Sequence, residues 1–290
     1  MRNGLCLAGG GIKGAAHIGA LKAFEEENIN FQYIGGTSSG SIVACLYASG
    51  FTADEIYKIF KRYSNQIKYF EIKRILKLIF GVIFNREINI DGLNSGKKIE
   101  EFTKRMCKEK GIYTIKDIKK PIIIPSVNLE NGNLICFTSV EVRNEVSDKV
   151  IFVNDADIGK VVRASCSFPV VFSPCSYKDM KLLDGGIREN VAWREVECIG
   201  ADKVLNLTFE EKKKENKEEN IIDIAQKSFS LLCRELSKYE MDGSGFTLKF
   251  ITNKVGLLDA GKVDELYELG YKETKRNMDK IKEYLKIKTH

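Results

Sequence analysis

Histidine is scarce in this chain, because its 290 residues include only two, His17 and His290. A serine nucleophile is commonly served by a histidine base that an acidic residue orients. In one common chain order of that triad the histidine comes last, and only the terminal His290, where chain ends fray, meets this condition. We interpret His17 as a packing residue of the first helix. The sequence therefore favours a base other than histidine for any serine chemistry, and His17 as the base is the alternative.

Long apolar segments are lacking as well. The best run, 78–84, has seven residues and includes a glycine, whereas a helix that spans a bilayer needs about 20. The first eight residues lead into glycines without the apolar core of a signal peptide. We therefore expect a cytoplasmic protein whose contact with membranes is peripheral.

The cysteines show no pattern that would indicate a metal site or a disulfide framework. Eight are scattered along the chain, without a C-x-x-C pair and without a neighbouring histidine. Zinc sites and disulfide scaffolds both need characteristic spacings. We predict reduced and mostly buried thiols, and neither a metal nor another cofactor.

A strong charge imbalance is also missing. The chain has 46 basic and 40 acidic residues, a formal net charge of +6, and the two signs are interleaved. No nucleic-acid-binding module is recognisable, so we do not expect a nucleic-acid partner. The mild basic excess favours an anionic surface or substrate.

Short apolar segments alternate with helical patterns along the whole chain. This alternation predicts an α/β sheet with helices on its faces, built as one domain over 1–290. Predicted strands are 4–8, 31–34, 121–127, 134–138, 181–183, 204–209 and 246–251; predicted helices include 15–21, 41–47, 52–63, 95–108, 156–165, 221–239 and 263–285.

A helical insertion at about 52–118 is rich in basic and aromatic residues. Within it, residues 72, 75, 76, 79 and 83 are apolar and fall on one helical face. Such a basic amphipathic helix suits the surface of an anionic membrane, as a lid or a docking element. The alternative is an ordinary helix that packs on the core and exposes a basic face.

Ser38 occupies a G-x-S-x-G frame between a predicted strand and a predicted helix. The sharp turn from strand to helix requires Gly36 and Gly40, because a Cβ at either position would collide across the turn. The turn presents the hydroxyl at a helix N-terminus, where developing negative charge is favoured. The alternative is a loop rich in glycine and serine that fits the frame by chance.

A glycine turn, 9–14, follows the first strand and leads into a helix. Gly9, Gly10 and Gly11 leave backbone amides free to face an anion at the helix N-terminus. Gly9, Gly11 and Gly14 also satisfy the dinucleotide pattern G-x-G-x-x-G. A nucleotide site is disfavoured, because the second strand ends in glycines and Ser38 rather than in the acidic residue that binds a ribose.

Asp184 follows a short apolar strand and precedes Gly185 and Gly186. The glycines let the backbone bend away and leave the carboxylate at the end of the strand. Asp184 is the best candidate for the base that Ser38 needs, since a desolvated carboxylate gains basicity. The alternative is a turn aspartate that only caps its own backbone.

Taken in order, the three motifs around Gly9–Gly14, Ser38 and Asp184, together with 163–169, resemble the patatin-like phospholipases over about residues 4–209. The resemblance implies a three-layer α/β/α fold with a mostly parallel sheet, and metal-free hydrolysis of acyl esters in phospholipids or other lipids. It also implies that Ser38 is the nucleophile, that Asp184 is its base, and that Gly9–Gly11 form the oxyanion hole.

One departure from the family pattern lies after the acid. Many members carry an asparagine–proline pair there, whereas this chain has 189–193, Glu-Asn-Val-Ala-Trp. This departure concerns the local backbone and the substrate contacts at 189–193. Separately, a membrane-associated protein that kept the fold without catalysis is an alternative function.

Overall fold

The computed structural model describes residues 1–66, 91–142, 149–210, 221–252, 255–256 and 259–287. Its strands are β1 Asn3–Leu7, β2 Tyr33–Gly36, β3 Ile122–Asn128, β4 Leu134–Thr138, β5 Val150–Val153, β6 Cys175–Tyr177, β7 Met180–Asp184, β8 Lys203–Glu210 and β9 Thr247–Ile251. Its helices are α1 Gly14–Glu26, α2 Ser39–Ala48, α3 Ala53–Gln66, α4 Lys97–Lys108, α5 Ile158–Ser165, α6 Trp193–Cys198, α7 Ile221–Glu240, α8 Val263–Arg276 and α9 Met278–Leu285.

A single mixed sheet organises these elements. Within the described residues its strand order is β5-β4-β3-β2-β1-β8-β9, and β7 joins it by pairing with β3 and β6. The pairings of β1 with β2 and β8, of β2 with β3, of β4 with β5 and of β8 with β9 are parallel. The predicted α/β fold with a mostly parallel sheet is confirmed, as is the predicted antiparallel pairing of β3 with β4.

Helices pack on both faces of the sheet. Side chains alternate between the faces of a strand, and in β1 Leu5 and Leu7 belong to one buried cluster while Cys6 belongs to another. The first cluster includes α1, α2 and α3, and the second includes Trp193 and Val196 of α6. The three-layer arrangement follows from these two separate apolar clusters.

The helix predicted at 263–285 is two helices in the structure, since α8 ends at Arg276 and α9 begins at Met278. The predicted helix start at Thr52 is confirmed, because the Thr52 amide donates to Glu55 Oε2 and the Glu55 amide donates to Thr52 Oγ1.

The basic amphipathic stretch proposed as a lid lies largely in 67–90, outside the described residues. Among the described helices, none is long and apolar enough to cross a bilayer.

Candidate active site

Ser38 stands at the turn from β2 into α2. Its φ of 52° and ψ of −124° are unusual for a residue other than glycine, and a backbone held in such a region costs about 1–3 kcal/mol. A Cβ at Gly36 would lie 2.4 Å from the carbonyl oxygen of Gly40, and a Cβ at Gly40 would lie 2.2 Å from that of Leu7. The predicted glycines are therefore required by the close approach of α2 to β1 and β2.

The strand register brings Asp184 to the same level as Ser38. β3 pairs with β2 through Ile122 and Ile123, and with β7 through residues 126–128. Because β4 occupies the opposite edge of β3, β2 and β7 share one edge. β7 runs antiparallel to β3 and ends at Asp184, opposite Ser126, where β2 has already turned away. The two motifs thus meet end to end, although they are 146 positions apart in the sequence.

The Asp184 carboxylate is held in a buried position. Its Oδ1 accepts a 2.8 Å hydrogen bond from the Gly186 amide, and its backbone amide donates to the carbonyl oxygen of Ser167 at 3.1 Å. Burial raises the pKa of Asp184 to about 7, and the Ser38 hydroxyl and the Gly186 amide partly oppose this rise. Oδ2 is buried and has no hydrogen-bond partner among the residues that the structure describes. One carboxylate oxygen is thereby fixed, and the other remains available as a proton acceptor.

The glycine turn lies directly against Ser38. A Cβ at Gly9 would come within 2.9 Å of the Ser38 Cβ. The Gly9 amide donates to Asn190 Oδ1 at 3.0 Å, whereas Gly11 has a left-handed φ of 59° and opens the 3₁₀ turn Gly11–Lys13. Gly9 therefore anchors the turn, which leaves the amides of Gly10 and Gly11 as the candidates to face an anion.

His17 is buried behind this turn. Its Nε2 lies 2.9 Å from the carbonyl oxygen of Ala8, and its ring packs against Phe209 and Phe250. Burial lowers the pKa of His17 to about 4. His17 is thus a neutral packing residue that supports the residue before Gly9, as predicted.

A family model described as patatin-like phospholipase matches residues 5–196, a stretch that contains the glycine turn, Ser38 and Asp184. The chain belongs to the patatin-like phospholipase family. The Arg163-to-Pro169 segment, which resembles the family, also lies within the matched stretch.

Curated relatives of this patatin-like chain include both short and long proteins. The uncharacterized protein YqhO of Bacillus subtilis (strain 168) is 27% identical over 222 residues, which cover 74% of this chain and 73% of that protein. The lysophospholipase NTE1 of Candida albicans (strain SC5314) is 26% identical over 202 residues, which cover 70% of this chain and 13% of the relative. The chain thus corresponds to a small part of those lysophospholipases.

Solved structures support the patatin-like fold. VipD from Legionella pneumophila superposes with a TM-score of 0.55 at 16% identity. The superposition covers 96% of this chain and 67% of the VipD chain. Human GIVD cytosolic phospholipase A2 superposes with a TM-score of 0.50 at 10% identity, covering 98% of this chain and 60% of its own.

Three residues of this patatin-like site were not assigned a role from the sequence. Ser165 Oγ accepts a hydrogen bond from the Ser38 amide at 3.0 Å. Arg163 is buried, and its guanidinium bonds to the carbonyl oxygens of Ser95 and Ser173 and to the Ser167 hydroxyl. Asn190 holds Gly9. The segment 163–169 and the asparagine after Asp184 are visible in the sequence, but nothing in the sequence indicates which backbone groups they contact.

The departure after the acid preserves this contact. Asn190 belongs to this departing stretch and accepts the hydrogen bond from the Gly9 amide, while Val191 and Ala192 are buried. The remaining motif glycines also lie at close approaches: a Cβ at Gly185 would be 2.5 Å from the Pro125 carbonyl oxygen, and one at Gly14 would be 3.2 Å from Ser39 Oγ. A Cβ at Gly186 would lie 3.1 Å from Asp184 Oδ1. All three glycines thus allow close packing around the site.

Proposed function

We propose that this protein hydrolyses acyl esters in lipids, as a phospholipase A or lysophospholipase, through a Ser38–Asp184 dyad. The observation that carries the proposal is the meeting of Ser38, in a strained turn at a helix N-terminus, with the buried Asp184 carboxylate, whose Oδ2 has no hydrogen-bond partner in the described part of the chain. The glycine turn beside Ser38 supplies amides for the developing negative charge. The family membership and the lysophospholipases among the relatives support a lipid ester as the substrate.

In the proposed first step, Ser38 Oγ attacks the ester carbonyl carbon while Asp184 Oδ2 takes the hydroxyl proton. The amides of Gly10 and Gly11 stabilise the oxyanion. When the tetrahedral intermediate collapses, the ester C–O bond breaks, and Asp184 returns the proton to the leaving alcohol. An acyl-enzyme on Ser38 remains.

In the second step Asp184 takes a proton from a water molecule, whose oxygen attacks the acyl carbon. The acyl–Ser38 bond then breaks, the serine oxygen recovers the proton, and the fatty acid leaves. A base for such transfers works best when its pKa is near the working pH. Burial raises the pKa of Asp184 to about 7, so this carboxylate can serve as the base without a histidine.

The test combines covalent labelling with lipid turnover. A fluorophosphonate probe is expected to label Ser38 in the wild type, as mapped by mass spectrometry, and the Ser38→Ala variant should neither be labelled nor release fatty acid from lysophosphatidylcholine. Ser64→Ala is a matched control, because Ser64 is buried in α3 and its hydroxyl donates to the backbone carbonyl oxygen of Lys61. A folded Ser38→Ala protein with wild-type turnover would overturn the assignment. A wild type that is neither labelled nor active would instead favour the catalytically silent alternative.

A further inference from the structure

The helix α7 exposes large apolar side chains to solvent. Across the described residues, eleven large apolar side chains are exposed, and five of them lie on this one helix. These are Ile224, Leu231, Leu232, Leu236 and Tyr239, which are between 38% and 79% exposed. A surface helix normally turns its apolar side inward and its polar side to water. The solvent-facing side of α7 instead carries large apolar side chains.

The exposed residues of α7 form a continuous surface. With about 100° between successive residues, the five apolar side chains fall within an arc of about 140°. Three polar residues are exposed on the same side, Ser228, Glu235 and Lys238, and the last two pair with each other at 2.7 Å. Their charges are therefore compensated within the helix. We call the five apolar side chains the α7 apolar face.

The α7 helix lies next to the candidate active site. It contacts the turn Gly185–Ile187, which directly follows Asp184. At one border of this face, the ring of Phe229 meets the ring of Phe168 edge-on, with centroids 6.2 Å apart. Phe168 directly follows Ser167, whose carbonyl oxygen accepts from the Asp184 amide. A surface to which α7 binds would therefore lie next to the Ser38–Asp184 site.

We propose that the α7 apolar face docks this protein onto the surface of a lipid bilayer, with the helix lying in the plane of the interface. The choice of a bilayer as the occupant rests on the proposed function, because phospholipids reside in such a surface and α7 borders the turn that follows Asp184. The helix has 20 residues, about 30 Å, so it offers an extended contact. A helix of this type binds through buried apolar area.

The charge of α7 predicts how the docking responds to lipid composition. Its sequence contains three acidic and three basic residues, so the helix has no net charge. Docking through this face is therefore driven by apolar burial and depends little on anionic lipid or on salt. This behaviour differs from that expected for the basic stretch within 52–118, which would prefer anionic vesicles at low salt.

The experiment compares Leu231→Ser/Leu232→Ser with wild type in the full chain. Flotation with phosphatidylcholine vesicles is expected to show at least about a tenfold loss of vesicle-bound protein, since two apolar side chains are lost from the interface. Leu129→Ser is the matched control, because Leu129 is equally exposed but lies between β3 and β4. It should bind vesicles as the wild type does, at both 50 mM and 500 mM salt.

Turnover separates this proposal from the proposed function. The ratio of vesicle phospholipid hydrolysis to hydrolysis of a soluble nitrophenyl butyrate should fall at least about fivefold in the double variant and stay constant in Leu129→Ser. Equal vesicle binding by wild type and double variant would overturn the docking proposal. A second result would also overturn it, namely that the wild type is a dimer and the double variant a monomer while both bind vesicles equally. Flotation of the Ser38→Ala protein tests docking even if no ester is hydrolysed.

Discussion

The backbone amide of Gly9 donates a 3.0 Å hydrogen bond to Asn190 Oδ1. This bond joins the turn after β1 to the loop that follows Asp184, and a Cβ at Gly9 or at Gly186 would lie 2.8 Å or 3.2 Å from the same oxygen. Asn190 therefore fixes the position of the glycine turn relative to the acid. The geometry of the proposed oxyanion site depends on this contact, because Gly10 and Gly11 follow directly.

Asn190→Ala is expected to lower kcat about 10- to 100-fold while changing KM little. The substitution leaves the Gly9 amide without its acceptor, a loss of about 1–3 kcal/mol, and about 1.4 kcal/mol corresponds to a factor of ten in rate. Nitrophenyl butyrate hydrolysis measures the effect. Asn131→Ala is the matched control, because Asn131 Oδ1 accepts from the Asn133 amide at 3.0 Å in the exposed turn between β3 and β4. A folded Asn190→Ala protein with unchanged kcat would show that the bond does not position the turn.

The pH profile should report the ionisation of Asp184. A general base must be deprotonated, and burial raises the pKa of Asp184 to about 7. Below pH 7 the ionised fraction falls tenfold per pH unit, so kcat/KM is expected to fall with it, and above pH 7 it should level off. Stopped assays between pH 5.5 and 8.5 with a soluble ester measure this. A profile that is flat across this range would contradict a carboxylate base with a pKa near 7.

His17→Gln tests whether histidine contributes to that profile. Burial lowers the pKa of His17 to about 4, outside the measured range, and a glutamine amide can still donate to the Ala8 carbonyl oxygen. The variant is therefore expected to keep the inflection near pH 7, although repacking beside Phe209 should destabilise the protein by about 1–3 kcal/mol. Loss of the inflection in a folded His17→Gln protein would assign the base to His17.

Asp184→Asn is expected to stabilise the fold at high pH. The pKa of Asp184 is raised from 3.8 to about 7 by folding, so below pH 4 both states are protonated and the group has no effect. Between pH 4 and 7 the unfolded state releases its proton first, and stability falls as the pH rises. Above pH 7 the buried charge lowers the free energy of unfolding by up to about 4 kcal/mol. Asparagine removes this charge.

Urea unfolding at pH 5 and pH 8 measures the difference. The gain of Asp184→Asn over wild type should be clearly larger at pH 8 than at pH 5. Asp242→Asn is the control, because Asp242 is exposed, and it should leave the free energy of unfolding unchanged at both pH values. An equal gain at the two pH values would mean that the carboxylate does not titrate between them in the folded protein.

Gly40→Ala should both destabilise the protein and lower its activity. The added Cβ would lie 2.2 Å from the Leu7 carbonyl oxygen and 2.8 Å from that of Ala8, so α2 must move away from β1. Overpacking of this kind costs about 1–3 kcal/mol, and the shift displaces Ser38. Thermal unfolding and ester turnover measure both effects. At Gly256 a Cβ would meet no atom of the described residues within 4 Å, so Gly256→Ala should change neither quantity.

The local motifs and the order of strands and helices could be predicted from the sequence. Gly36, Ser38 and Gly40 have a local requirement, because a strand that turns directly into a helix leaves no space for side chains at the flanking positions. The scarcity of histidine likewise favours a carboxylate base, and the position of Asp184 after a short apolar strand predicts which carboxylate this is. These inferences depend on neighbours within a few residues, which a sequence shows directly.

The meeting of Ser38 with Asp184 was decided by the tertiary structure. It depends on which edge of β3 receives β7 and in which direction, and this pairing joins segments that are far apart in the chain. The same holds for Asn190, whose acceptor role appears only when the loop after Asp184 folds back on Gly9, and for α7, whose apolar pattern predicts a buried face until the rest of the fold leaves it exposed. Apolar periodicity determines that a helix forms, but the packing of distant segments determines which of its faces meets water.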